Sequence, residues 1–81
     1  MDRADALDMV KEAISSVVPG AEVADLALDG EFREVLEMDS LDFLNFVEAL
    51  SEMSGVRIDD EDTPRLTTLS ASADFLVTHA R

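Results

Sequence analysis

The stretch from Ser40 to Ser54, SLDFLNFVEALSEMS, most narrows what this chain can fold into. At roughly 100° per residue, Phe43, Phe46, Val47, Leu50 and Met53 gather on one side, the arrangement of a helix with a core-facing stripe. Leu41 and Glu48 point the other way, and Leu44 sits near the border. The pair Asp39-Ser40 offers capping side chains at the start, and Gly55, lacking a Cβ, suits the left-handed residue that closes a helix.

The same periodicity recurs on either side. From about Asp2 to Val18, Leu7, Val10, Ile14 and Val17 fall at helical intervals with Ala6 and Ala13 in the same stripe, and Pro19-Gly20 ends the run. Toward the C-terminus, Thr68 or Ser70 caps a last helix carrying Leu69, Ala73, Leu76 and Ala80, flanked by Phe75 or Val77. Between these helices the pattern weakens. Ala21 to Met38 reads as a long loop with a helical turn around Phe32–Leu36, and a loop of this length in a small domain points to a functional reason. Val56-Arg57-Ile58 reads as an extended connector. Asp59 to Asp62 opens a short helix in which Pro64 fits only the first turn or beyond the end. The expected fold is all-α: a small three-to-four-helix bundle with a long loop between the first two principal helices and a short third helix. With 81 residues, residues 1–81 are expected to form one domain with a small core and no large active-site cavity.

Charge restricts the partners. Nineteen acidic against 6 basic residues give a net charge of -13, which disfavours nucleic acid and anionic membranes, since phosphate binding needs Lys and Arg to displace counterions. Basic protein surfaces are the natural complement. The 47% hydrophobic content, placed at regular spacing, argues against disorder. No apolar leader is visible, so the chain is expected to be cytoplasmic, without membrane insertion, and monomeric. Cysteine is absent, which removes disulfides, thiolate nucleophiles and Cys-based zinc sites.

Chemistry within the chain is scarce. Nucleophilic catalysis at Ser40 would need a base, and the single histidine, His79, lies near the C-terminal end, where it reads as a surface residue. Asp29-Gly30 suggests a calcium loop. With Gly30 as the loop glycine, however, Ala27 falls on the third ligand position and Leu36 on the bidentate glutamate, so essential ligands are missing. Asp59-Asp60-Glu61-Asp62 lacks the alternating spacing of such a loop and reads as a solvated helix start. Met9 and Met53 read as core filler; Met38, ahead of the serine, reads as core filler or as a contact for a partner or cofactor.

Ser40 has two readings. One is a helix cap and nothing more, as in an acidic helical adaptor. The other follows from its surroundings: Leu41 lies opposite the core face, and Glu31, Glu34, Glu37, Asp39, Asp42, Glu48 and Glu52 gather around it against Arg33 alone. One hydroxyl, a bare apolar side chain and a carboxylate rim describe a docking surface rather than a pocket.

In this setting the chain resembles the acyl carrier proteins. The likeness rests on Asp39-Ser40-Leu41-Asp42 opening the second principal helix, followed by Phe43-Leu44-Asn45-Phe46-Val47-Glu48-Ala49-Leu50. It extends through the acidic loop, the SGVRI connector and the closing helix after LTTLSASADFL. The resemblance implies that Ser40 is not a catalyst but an attachment point for 4'-phosphopantetheine, donated by coenzyme A and transferred by a separate magnesium-dependent phosphopantetheinyl transferase. The arm's thiol would carry acyl groups as thioesters between partner enzymes of fatty-acid, polyketide or specialised biosynthesis. These partners would be acyl-transferring, ligase or synthase enzymes with basic docking patches, and the protein would not itself be an enzyme. Asp39 would help position the serine and Leu41 would be a small apolar anchor. Asp42, Leu44, Glu48 and Glu52 would meet the partners, and Leu7, Val10, Phe46, Leu50 and Leu76 would part to shelter an acyl chain. Glu48 stands where fatty-acid carriers often show methionine, Asn45 and Ser51 replace residues that are often acidic, and Asp59 occupies a place often held by proline; these departures bring a specialised pathway level with a housekeeping one. Peptidyl carriers, the aminoacyl alternative, typically present glycine and histidine ahead of the serine, and Glu37-Met38-Asp39 does not.

Overall fold

A computed structural model describes residues 1–80. Three long helices form the frame: α1 (Arg3–Val17), α3 (Ser40–Ser54) and α4 (Leu69–His79), with a single-turn helix, α2 (Phe32–Val35), inside the long loop. α1 is the central element, since α3 and α4 both pack extensively against it. Its stripe of Ala6, Val10, Ala13 and Ile14 is fully buried, and the two alanines let the neighbouring helices approach closely. The expected stripe is therefore right in phase, with Leu7 and Val17 at its half-buried edges.

Each long helix begins at a side-chain cap. The Asp2 carboxylate accepts from the Asp5 N–H at 2.9 Å, Asp39 from the Asp42 N–H at 2.8 Å, and the Thr68 hydroxyl from the Ala71 N–H at 3.0 Å. Each such cap removes one orphan donor and contributes about 1 kcal/mol. At the other end of α3, Gly55 adopts φ 71° and donates its N–H to the Ser51 carbonyl at 2.9 Å, the left-handed closure expected of it. Thr68, not Ser70, caps α4, because Thr68 is the last non-helical residue and Ser70 already lies in the first turn, where the Ser70 N–H is tied down by the loop. It donates to the Leu28 carbonyl at 2.8 Å, and Thr68 forms an antiparallel bridge with Glu31.

Those two ties hold the long connection against the start of α4. The connection is not a bare loop: a 3-10 turn spans Val23–Asp25, and α2 follows. Phe32 anchors α2, being fully buried with its ring edge-on to Phe46 of α3 at 5.1 Å between centroids. Burying such a ring contributes about 1.5–3 kcal/mol, more than the backbone of a four-residue helix could supply. Tertiary packing therefore makes this helix.

The expected short third helix is a 3-10 segment, Asp60–Arg65, and Pro64 lies inside it rather than in the first turn. In a 3-10 segment each residue donates to the carbonyl three back, so Pro64 leaves only the carbonyl of Glu61, an exposed residue, without its donor; the Thr63 hydroxyl separately donates to the Asp60 carbonyl at 2.8 Å. On α4 the buried set is Leu69, Ser72, Ala73, Phe75 and Leu76, so Phe75 and not Val77 completes the stripe. Ala80 is only half-buried.

Candidate functional site

Asp39 and Ser40 divide the work at the head of α3. Asp39 is the cap, with extended backbone and its carboxylate on the Asp42 N–H; Ser40 is the first helical residue. The reading of Ser40 as a helix cap is thereby corrected, for the physical reason that a capping side chain must come from the last non-helical residue. The Ser40 side chain is left exposed. The Phe43 N–H also points back to Asp39, reaching its carbonyl at 3.0 Å. No hydrogen bond among the described residues uses the N–H groups of Ser40 and Leu41. The exposed hydroxyl thus stands beside unclaimed donors at the positive end of a helix, a setting that favours an anion.

The chain reaches this point through a tight reversal. The Met38 N–H donates to the Arg33 carbonyl at 2.9 Å across Glu37, which adopts φ 53°. This is the six-to-one closure that usually places glycine at the left-handed position. A glutamate there carries strain of roughly 1–2 kcal/mol. The reversal turns Met38 inward, leaving it only 6% exposed. Its expected alternatives resolve as core packing, although one side of it also lines a groove.

The groove was not expected from the sequence. It has a volume of about 680 Å³ and runs beside Ser40 between the loop, the start of α3 and the 3-10 segment, with Met38, Phe43, Pro64 and Leu66 as apolar lining and Arg33 and Glu34 at the polar side. Arg33 is the second feature that sequence reasoning left without a role. Its Nε donates to the Met38 carbonyl at 3.4 Å, its guanidinium lies 4.8 Å over the Phe43 ring, and its Nη2 stands 3.4 Å from Ser40 Oγ. The available signal was its isolation, as the one cation among many carboxylates between Glu31 and Glu52.

Along the outward face of α3, Leu41 (64% exposed) and Leu44 (49% exposed) continue into Glu48 and Glu52, both exposed. The spacing of three to four residues places them in one stripe descending from Ser40. Asp42 is half-buried beside it. Leu44, expected at the border, lies on the exposed side. The structure thus brings Ser40, Leu41, Leu44, Glu48 and Glu52 onto one continuous face. His79 is exposed at the end of α4 and stacks on Phe75 at 4.3 Å. Among the described residues no helix is long and apolar enough to cross a membrane.

A bundle of this form, with an exposed serine at the head of an acidic helix, matches a known class. The family described as "Phosphopantetheine attachment site" matches residues 8–76. The chain is 33% identical over 79 residues to the acyl carrier protein of Rubrobacter xylanophilus, covering 98% of this chain and 96% of that one. The solved structure of the acyl carrier protein from Enterococcus faecalis superposes with a TM-score of 0.81 at 28% identity, covering 99% of this chain and 100% of the other. The chain belongs to the phosphopantetheine-binding acyl carrier protein family. Members of that family bear a phosphopantetheine prosthetic group and act as carriers, not enzymes, in concert with a transferase and partner enzymes. The residues at the head of α3 fit such a group: an exposed hydroxyl for the ester bond, free N–H groups and a guanidinium for the phosphate, and a neighbouring groove of mixed polarity.

Proposed function

We propose that Ser40 is the attachment residue and that the chain works as a single, monomeric carrier domain whose arm shuttles acyl intermediates between enzymes. The observation that carries this reading is the Ser40 hydroxyl, exposed on the first turn of α3 with no partner among the described residues closer than the Arg33 guanidinium at 3.4 Å. The bound group supplies what the chain lacks, a thiol on which an acyl group is held as a thioester. The chain's own residues do the rest. Asp39 holds the first turn of α3 in shape by accepting from Asp42, so that the hydroxyl leaves the surface in one direction. The unclaimed N–H groups favour the phosphate, against the repulsion of Asp39 and Asp42.

The stripe of Leu41, Leu44, Glu48 and Glu52, with Asp42 beside it, serves as the docking face. Its leucines offer a modest apolar contact and its carboxylates accelerate encounter with basic enzyme patches more than they tighten the complex. Fast, weak contacts suit a shuttle that must leave each partner. An acyl cargo is favoured over an aminoacyl one by Glu37-Met38-Asp39 ahead of the serine. Glu48, Asn45, Ser51 and Asp59 support a dedicated pathway, polyketide-like or otherwise specialised, as strongly as fatty-acid synthesis.

Incubation with coenzyme A, magnesium and a broad-specificity phosphopantetheinyl transferase, followed by intact-mass measurement, tests the reading. One arm's mass should be gained by the wild type and none by Ser40→Ala. No gain, or a gain that persists in Ser40→Ala, defeats it.

A further inference from the structure

We infer that Arg33 is a positioning residue for the arm, pairing with the phosphodiester on Ser40 and holding the root of the arm on the groove side of α3. The inference rests on Ser40 being the attachment residue and goes beyond it.

The placement of Arg33 is unusual for its surroundings. Glu31, Glu34 and Glu37 are its neighbours in sequence, and Asp39 and Asp42 flank Ser40, yet Arg33 forms no ion pair within 4.0 Å among the described residues. The ion pairs found there join Arg3 to Asp74 and Arg57 to Asp59. The guanidinium is instead held by two contacts that leave its charge unspent, a face laid over the Phe43 ring and an Nε aimed at the Met38 carbonyl. Both supports belong to the frame of the site, since Phe43 is on α3 and Met38 immediately precedes Asp39. Both Nη groups are left clear of carboxylates among the described residues, and Nη2 points at Ser40 Oγ from 3.4 Å.

A hydroxyl uses little of what a guanidinium can offer, whereas a phosphodiester attached through that same oxygen would place anionic oxygens beside two or more guanidinium N–H groups. The fold explains how Arg33 arrives there. Phe32 is driven into the core against Phe46, the next residue must face outward, and the reversal at Glu37 brings the chain back so that a residue seven positions before Ser40 stands beside it. Since Arg33 also lines the groove, an arm held by it would leave toward Met38, Phe43, Pro64 and Leu66 and away from the Leu41–Glu52 face, keeping the docking stripe clear. The paired charge would also offset the repulsion that Asp39 and Asp42 exert on the phosphate.

The experiment compares unloaded and fully loaded forms of wild type, Arg33→Met and Arg33→Lys by thermal melts and by the 31P resonance of the diester, at low salt and at 1 M NaCl. Intact mass is checked first. A wild type that takes no arm at Ser40 defeats the attachment reading itself, and this inference with it, before any melt is compared. With loading complete, the change in Tm on loading should be less favourable in Arg33→Met than in wild type by roughly 2–5 °C at low salt, the range for one partly exposed charge pair in a domain of this size. Arg33→Lys should recover part of it, and 1 M NaCl should shrink the gap. The 31P resonance should move between wild type and Arg33→Met and converge at high salt. Equal changes in Tm on loading, or an unmoved 31P resonance, overturn the inference. A merely structural Arg33 would lower the Tm of both forms equally and leave the phosphorus unaffected.

Discussion

Ser72 and Ser54 should respond in opposite directions to the same substitution. Ser72 lies on α4 with no exposed area, and its hydroxyl finds no hydrogen-bond partner among the described residues. Removing an unpartnered buried hydroxyl recovers its desolvation cost of about 1–3 kcal/mol, and serine to alanine in a helix interior adds roughly 0.5 kcal/mol. Against this stands the void left by one oxygen, about 0.3–0.5 kcal/mol at the usual cost per unit volume. The net expectation for Ser72→Ala is a gain of about 1–3 kcal/mol, or a rise in Tm of roughly 4–24 °C for a domain of this size. Ser54 is the control. Its hydroxyl donates to the Leu50 carbonyl at 2.7 Å and accepts from the Val56 N–H at 3.1 Å, closing the turn after α3. Ser54→Ala should therefore lose about 1 kcal/mol. Urea titration of both variants, followed by circular dichroism, should show midpoints moving apart at an unchanged slope. A Ser72→Ala midpoint at or below that of wild type would refute the reasoning, since it would mean the hydroxyl is satisfied in solution.

Two further expectations concern the site. Asp39→Ala removes the cap of α3 and should lower Tm by about 4–8 °C, the equivalent of about 1 kcal/mol; an unchanged melt would show that another group holds the first turn. Leu41→Ala and Glu48→Lys alter exposed side chains, so their melts should stay within about 2 °C of wild type. Their loading by the transferase should instead slow, Leu41→Ala by roughly tenfold for a lost buried side chain. Glu48→Lys should slow by a few-fold, an effect that fades as salt is added; unchanged kcat/KM for both would remove this stripe from the docking surface.

The three long helices were legible because each carries its own punctuation. α3 was read to its terminal residues, Ser40 to Ser54, since an Asp cap at one end and Gly55 at the other are local features. Errors arose where backbone geometry overrides what residue type signals. Pro64 is tolerated inside the 3-10 segment because the one carbonyl it leaves without a donor belongs to Glu61, an exposed residue. Met38 is buried because the turn at Glu37 rotates it inward, and that turn uses a left-handed glutamate where a glycine would have signalled it. Ser72 interrupts an otherwise apolar buried stripe, so periodicity placed Leu69, Ala73 and Leu76 but passed over the residue between them.

By itself, the amino-acid order determined the helical class, the phase of each buried face, the acidic surface and the placement of one serine at a helix head. All of these follow from spacing along the chain and from side-chain chemistry within one or two turns. Tertiary structure alone decided that a groove opens beside the head of α3 and that Arg33 comes to rest 3.4 Å from the Ser40 hydroxyl. The reason is that α2 is too short to form unaided; it exists because Phe32 is buried against Phe46, and only that long-range contact carries the next residue to the site.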